Sequence, residues 1–146
     1  MTSTFKKITP DLMVTEVAST VKFYTEKLGF KLDMVVPDDV RRIETQLVDG
    51  KDYAYALVSR DKQFLMFMRK DVYEDDIPAL KEVAIGASAT FYCEVENLTS
   101  FYHACCENQV EIIKDMAATW YGMNEFYIRD CNGYILGFGE SAAIAK

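Results

Sequence analysis

His103 is the single histidine of the chain, so the chemistry open to it depends on its neighbours. A facial-triad Fe²⁺ needs two histidines and a carboxylate, and a catalytic Zn²⁺ usually takes three protein ligands. His103 and Cys106 lie three apart in a helical stretch, where an imidazole could activate a thiol as nucleophile. That pair falls away from the apolar stripe Leu98, Tyr102 and Cys105, and no third group orients it, so a surface position is expected for His103. The four cysteines, Cys93, Cys105, Cys106 and Cys131, form no CxxC pair and read as reduced, partly buried thiols. Asp71, Glu74, Asp75 and Asp76 cluster without the spacing of a calcium loop, and read as a solvated face. No GxSxG, phosphate-cradling glycine loop or dinucleotide fingerprint is present. Aromatic surface is the remaining resource. Trp120 and Tyr121 stand directly before Gly122, where their rings could serve a ligand or pack a strand edge.

Half the residues are apolar and 13% are aromatic, which is enough for a packed core. A length of 146 suits one domain or two small fused half-domains. Lys and Arg number 16 against 23 acids, giving a net charge of −7, which argues against a nucleic-acid partner that needs a basic face. No apolar run approaches the roughly 20 residues of a membrane span, and no signal-peptide core follows the start. A cytoplasmic protein without membrane contact is therefore expected.

The elements that must position these residues follow from periodicity. Residues 8–15 alternate as a strand, with Pro10, Leu12 and Val14 on one face and Thr9, Asp11 and Met13 on the other. Pro10 removes a ladder donor and suggests an edge position. Val17, Val21, Tyr24 and Leu28 form a helical stripe ended by Gly29. A strand over 31–36 precedes residues 38–52, read as a loop with room for a short helix. Residues 53–59 and 63–69 form a hairpin, and 70–86 an acidic connector. The pattern then restarts. A strand spans 88–95, Asn97 is the N-cap of a helix carrying Leu98, Phe101, Tyr102 and Cys105, and a strand covers 110–116. Last comes a hairpin of 125–129 and 134–138 around Asn132-Gly133, a pair suited to a type I′ turn. Val14 with Phe23-Tyr24 echoes Val95 with Phe101-Tyr102, so a module is repeated.

Phe23-Tyr24 followed by Leu28-Gly29-Phe30 resembles the first helix of the vicinal-oxygen-chelate superfamily, which comprises glyoxalases, ring-cleaving dioxygenases and bleomycin-resistance proteins. Tyr121-Gly122, a strand, the turn from Arg129 to Gly133 and a last strand resemble its C-terminal signature, Arg-Asp-Pro-Asp-Gly. Here Cys131 replaces the proline and Asn132 the second aspartate. The resemblance implies an α+β fold of two βαβββ modules, with curved mixed sheets, helices outside and a cavity enclosed by paired modules. On this reading residues 1–146 form a single domain, with module 1 at about 5–70, a connector at 71–86 and module 2 at about 87–140. A homodimer is also implied.

In the superfamily's metalloenzymes, a histidine or equivalent stands on the first strand of each module and a carboxylate on the last strand. Alignment on the family pattern puts Thr9 and Thr90 at the histidine positions and Gly137 at the carboxylate. Threonine is a poor divalent-metal ligand and glycine has no side chain, so no metal and no cofactor are expected. The closest likeness is then to the metal-free bleomycin-resistance branch, where an aromatic before the glycine stacks on a planar drug group. Tyr121 matches that aromatic, and Trp120 takes the slot beside it. Alternation sends Asp11, Met13, Tyr92 and Glu94 to the same face as Thr9 and Thr90, a mixture of apolar surface and acids suited to a small ligand. Met13 could equally fill core. The ligand-binding candidates are therefore Asp11, Met13, Thr90, Tyr92, Glu94, Trp120 and Tyr121. The leading function is metal-independent binding of an aromatic or cationic compound. The alternatives are a metal-dependent glyoxalase-type lyase, isomerase or dioxygenase with an unrecognised site, and a protein-interaction domain without ligand.

Overall fold

The computed structural model describes residues 2–142. The chain divides into two units, Met1–Val83 and Ala84–Lys146, each built on one open four-stranded sheet. The first unit runs β1 (Asp11–Val14), α1 (Val17–Lys22, continued by a π-helical turn over Phe23–Lys27), β2 (Lys31–Pro37), β3 (Tyr53–Arg60), β4 (Gln63–Arg69) and α2 (Lys70–Asp76). The second runs β5 (Thr90–Glu94), α3 (Leu98–Glu107), β6 (Glu111–Ala118), β7 (Met123–Arg129) and β8 (Ile135–Ser141). The strand orders are β1-β4-β3-β2 and β5-β8-β7-β6, with the first strand of each sheet parallel to the last and the other pairs antiparallel. The fold is α+β, a βαβββ unit given twice.

In each unit the core lies between one sheet face and its helix. Leu12, Val14, Val58 and Phe67 bury against Val17, Val21, Tyr24 and Leu28, and the Tyr24 and Phe67 rings sit 4.9 Å apart. In the second unit Phe126, Ile128, Leu136 and Phe138 bury with Leu98 and Cys105, while Phe101 meets Phe138 at 4.8 Å. Period-2 alternation thus hands each sheet's opposite face to other uses. Gly29, at φ +74, ends the first helix where the stripe predicts, and Arg60 Nη1 donates to the Leu28 carbonyl at 2.5 Å. β1 lies at a sheet edge, in keeping with Pro10 before it.

Residues 38–52 form the expected loop, without a helix; Glu44 bridges Val35, and its carboxylate binds Arg42 and Lys51. Three local expectations are corrected. The connector begins as a helix, α2, because Lys70 pairs Glu74 at i,i+4 and the Arg69 guanidinium holds Asp71 beside its first turn. Asn97 is not the side-chain cap of α3, since it sits in the left-handed region and makes no capping bond. The Glu140 carboxylate caps that end, accepting from Asn97 N at 3.0 Å and Leu98 N at 3.1 Å. The final hairpin is not a two-residue type I′ turn either. Buried Asp130 organises it, its Oδ1 accepting from Asn132 N and Tyr134 N at 2.8 Å each, while Gly133 alone takes positive φ.

Candidate functional site

The face of the second sheet turned away from α3 carries three registered rows. Thr90, Ile135, Arg129 and Glu111 form one; Tyr92, Gly137, Tyr127 and Lys114 the next; Glu94, Gly139, Glu125 and Ala117 the third. The two glycines make the middle of this face possible. A Cβ on Gly137 would lie 2.4 Å from Tyr127 Cε2, and one on Gly139 would lie 1.9 Å from Tyr92 Oη. The tyrosine rings therefore lie across the glycines, with centroids 6.4 Å apart.

The phenols converge on Glu125. Tyr92 Oη donates to Oε2 and Tyr121 Oη to Oε1, both at 2.6 Å. Glu125 is only 3% exposed, yet it lines a cleft of about 340 Å³ together with Lys114, Ala117, Ala118, Thr119, Trp120 and Tyr121. Burial pushes its carboxyl up, but the Tyr121 and Tyr92 donors and the Lys114 charge outweigh that and hold it below the ordinary value of 4.5. In return the phenols are pushed up, Tyr92 first by burial and then by its bond to Glu125, and Tyr121 first by that bond. At neutral pH the cluster is therefore a fixed anion with two phenol donors. It is a weak base with weak acids, an arrangement suited to holding charge rather than moving a proton.

Exposed rings line the same cleft as the anion. Trp120 is 95% exposed and Tyr121 52%, and they meet edge to face at 5.3 Å. The loop carrying them is pinned by Thr119, whose hydroxyl accepts from Met123 N at 3.0 Å, while Thr119 N donates to Met123 O at 2.7 Å. Thus Tyr92, Trp120 and Tyr121 are brought together around Glu125. Thr90 and Glu94 stay exposed on the flanking rows of the same sheet.

Asp11 and Met13 lie in the first unit. Met13 is buried and accepts Lys70 Nζ at 3.7 Å. Asp11 Oδ1 is buried without a hydrogen-bond partner among the described residues, and burial, then the charge of Asp76, push its carboxyl up to about 6. Sequence reasoning missed Glu125, Lys114 and Tyr127 as site residues. A usable signal was present for Glu125, a carboxylate next to Phe126 and with the same strand parity as Tyr127.

Thr9, Thr90 and Gly137, which the family resemblance aligns with metal-ligand positions, offer two hydroxyls and no carboxylate, and the Tyr127 ring fills the space above Gly137. Among the described residues, no three His, Cys, Asp or Glu side chains cluster as an ion would require. This residue set does not fit a divalent ion. His103 is exposed on α3, and Cys106 bonds the Tyr102 hydroxyl.

Two βαβββ units, each with its first strand parallel to its last, define the glyoxalase/bleomycin-resistance fold. The family model of the Glyoxalase/Bleomycin resistance protein/Dioxygenase superfamily matches residues 5–138, and the chain belongs to that superfamily. No curated protein matches the sequence. Among solved structures, a glyoxalase/bleomycin resistance protein/dioxygenase from Nocardioides superposes with a TM-score of 0.71 at 16% identity, covering 100% of this chain and 89% of that one. A glyoxalase-related enzyme from Clostridium phytofermentans gives 0.68 at 20% identity, covering 95% and 97%. The bleomycin-binding protein of Streptomyces verticillus, solved with copper(II)-bleomycin, gives 0.60 at 20% identity, covering 94% and 97%.

Proposed function

We propose that this chain is a metal-independent small-molecule-binding protein that sequesters an aromatic or cationic compound without transforming it. Glu125 carries the reading: a nearly buried carboxylate, kept ionised by two phenols at 2.6 Å, in the cleft that the exposed Trp120 ring also lines. A planar cation would stack on Trp120 and Tyr121 while its charge meets Glu125, so stacking and Coulomb attraction act on one molecule. The bleomycin-binding neighbour supports the class of function, and the Thr9, Thr90 and Gly137 substitutions support independence from metal.

Trp120 is the only tryptophan, so its fluorescence reports on the cleft directly. Titration with planar aromatic cations, followed by calorimetry, is expected to give saturable quenching and a matching binding isotherm. Heat and fluorescence that stay flat across the series would end the proposal. Elemental analysis of protein purified without added metal tests the second half, because near-stoichiometric Zn, Ni, Mn or Fe would restore the lyase or dioxygenase reading. We further take the two units as modules of one cytoplasmic domain that pairs as a homodimer. A sedimentation mass of one chain rather than two would remove that last element.

A further inference from the structure

Lys114 enters the cleft because β6 is irregular. Lys114 and Ala117 are an odd number of residues apart, so a regular strand would send them to opposite faces. Both line the cleft. The register against β7 shifts twice, between Ile112 and Lys114 and again between Lys114 and Ala117, so bulges bracket the lysine on either side. Bulges commonly re-aim a side chain. The second is held from behind: the Tyr102 hydroxyl of α3 bonds Asp115 Oδ1, which also accepts from Met116 N at 2.9 Å. The ammonium so aimed lies over the Tyr127 ring, 5.6 Å from its centroid, and among the described residues no carboxylate reaches ion-pair distance of it. Lys114 pairs with Tyr127, two residues along β7 from Glu125, so the cation and the anion are near neighbours on the sheet face and line one cleft, where the lysine charge reaches the carboxylate.

We propose that the cleft takes an aromatic zwitterion of the α-amino-acid type, its ammonium on Glu125, its acid group on Lys114 and its ring on Trp120 and Tyr121. This rests on the binding function proposed above and narrows it to one class of ligand. A simple aromatic cation would satisfy Glu125 but bring its own charge near the Lys114 ammonium, which makes no direct ion pair among the described residues. A simple aromatic anion would satisfy Lys114 but meet the Glu125 carboxylate. Only a molecule carrying both signs a short distance apart satisfies both groups, which is how a site rejects near relatives of its ligand. Tyr102 acts in this scheme as a positioning residue, reaching the ligand only through the bulge and Lys114.

Three probes share one ring and differ in charge: tryptamine, L-tryptophan and indole-3-propionate. Calorimetry on the full chain at neutral pH is expected to rank the zwitterion first, by about tenfold over the cation, with the anion weakest. Lys114→Met, at an exposed position, should bring L-tryptophan down to the level of tryptamine while leaving tryptamine unchanged or tighter. Tyr102→Phe should lower the ratio of zwitterion to cation affinity in the same direction without weakening tryptamine, an effect that general loosening of the fold would not produce. Equal affinity for zwitterion and cation in the unmodified protein, or a ratio unmoved by Lys114→Met, overturns the zwitterion assignment and leaves the broader reading standing. Failure of all three probes, together with the planar cations above, overturns both.

Discussion

The two sheets share a hydrogen-bonding plan and differ in what they do with it. In the first, one row reads Asp11, Met66, Leu57 and Met34, and the next Met13, Met68, Tyr55 and Val36. In the second, the corresponding rows read Tyr92, Gly137, Tyr127 and Lys114, then Glu94, Gly139, Glu125 and Ala117. Where the first sheet has two methionines on the strand beside its edge, the second has two glycines. Methionine fills space adaptably and leaves none for rings to lie flat. Glycine clears it. The carboxylates part in the same way. Asp11 has a buried oxygen without a donor and is pushed up to about 6, whereas Glu125 has two phenol donors and is pushed down. A site on this fold is made as much by what is missing under the rings as by the rings themselves.

The strongest way to break that contrast is to give the second sheet the first sheet's residues. Gly137→Met and Gly139→Met should displace Tyr127 and Tyr92, lower unfolding free energy by about 1–3 kcal/mol each in denaturant melts, and abolish cleft binding in calorimetry. Retained binding in the double variant would show the glycines to be incidental. Next in size is Trp120→Ala. It should weaken planar cations about tenfold while moving stability by no more than about 0.5 kcal/mol, since the ring is 95% exposed.

The carboxylates sharpen the comparison through pH. Glu125 has its folded value below 4.5, so its contribution to stability is full above that value and is lost as pH falls through the folded value. Glu125→Gln should remove that acid-limb dependence from a pH series of urea melts, and should weaken cations relative to neutral rings. Asp11 has the opposite sign. Its folded value of about 6 lies above 3.8, so its contribution is full below 3.8 and is lost as pH rises through about 6. Asp11→Asn should therefore stabilise the protein at pH 7 to 8 and leave it nearly unchanged near pH 3.5. Stabilisation equal at both pH values would assign the effect to something other than charge.

What the sequence made legible was local. The stripe Val17, Val21, Tyr24 and Leu28 and the hairpin of 53–59 and 63–69 depend on neighbours a few positions away, and both emerge as expected. The echo of Phe23-Tyr24 in Phe101-Tyr102 revealed the repeated unit. What stayed hidden depends on distant partners. Helix α2 buries no residue, so it has no apolar stripe to announce it. Asn97 looked like a cap because the carboxylate that does the capping, Glu140, lies on the last strand. Within the site, Trp120, Tyr121 and Tyr92 could be named from their spacing before Gly122 and their strand parity. Glu125 could not be ranked above other acids until Tyr92, 33 residues earlier, was seen to reach it. Lys114 was hidden by parity itself, because only the pairing with β7 exposes the two bulges.

The parallel pairing at one edge of each sheet bears on how the polypeptide matures on the ribosome. β5 has a single sheet neighbour, β8, which is also the strand of its unit made latest. Until Ile135–Ser141 emerges, the strand bearing Tyr92 lacks its sheet partner, whereas β1 finds β4 before the second unit is made. The nascent second unit thus passes through an interval with a bare, aromatic edge, the stage at which chain-to-chain pairing is most easily begun.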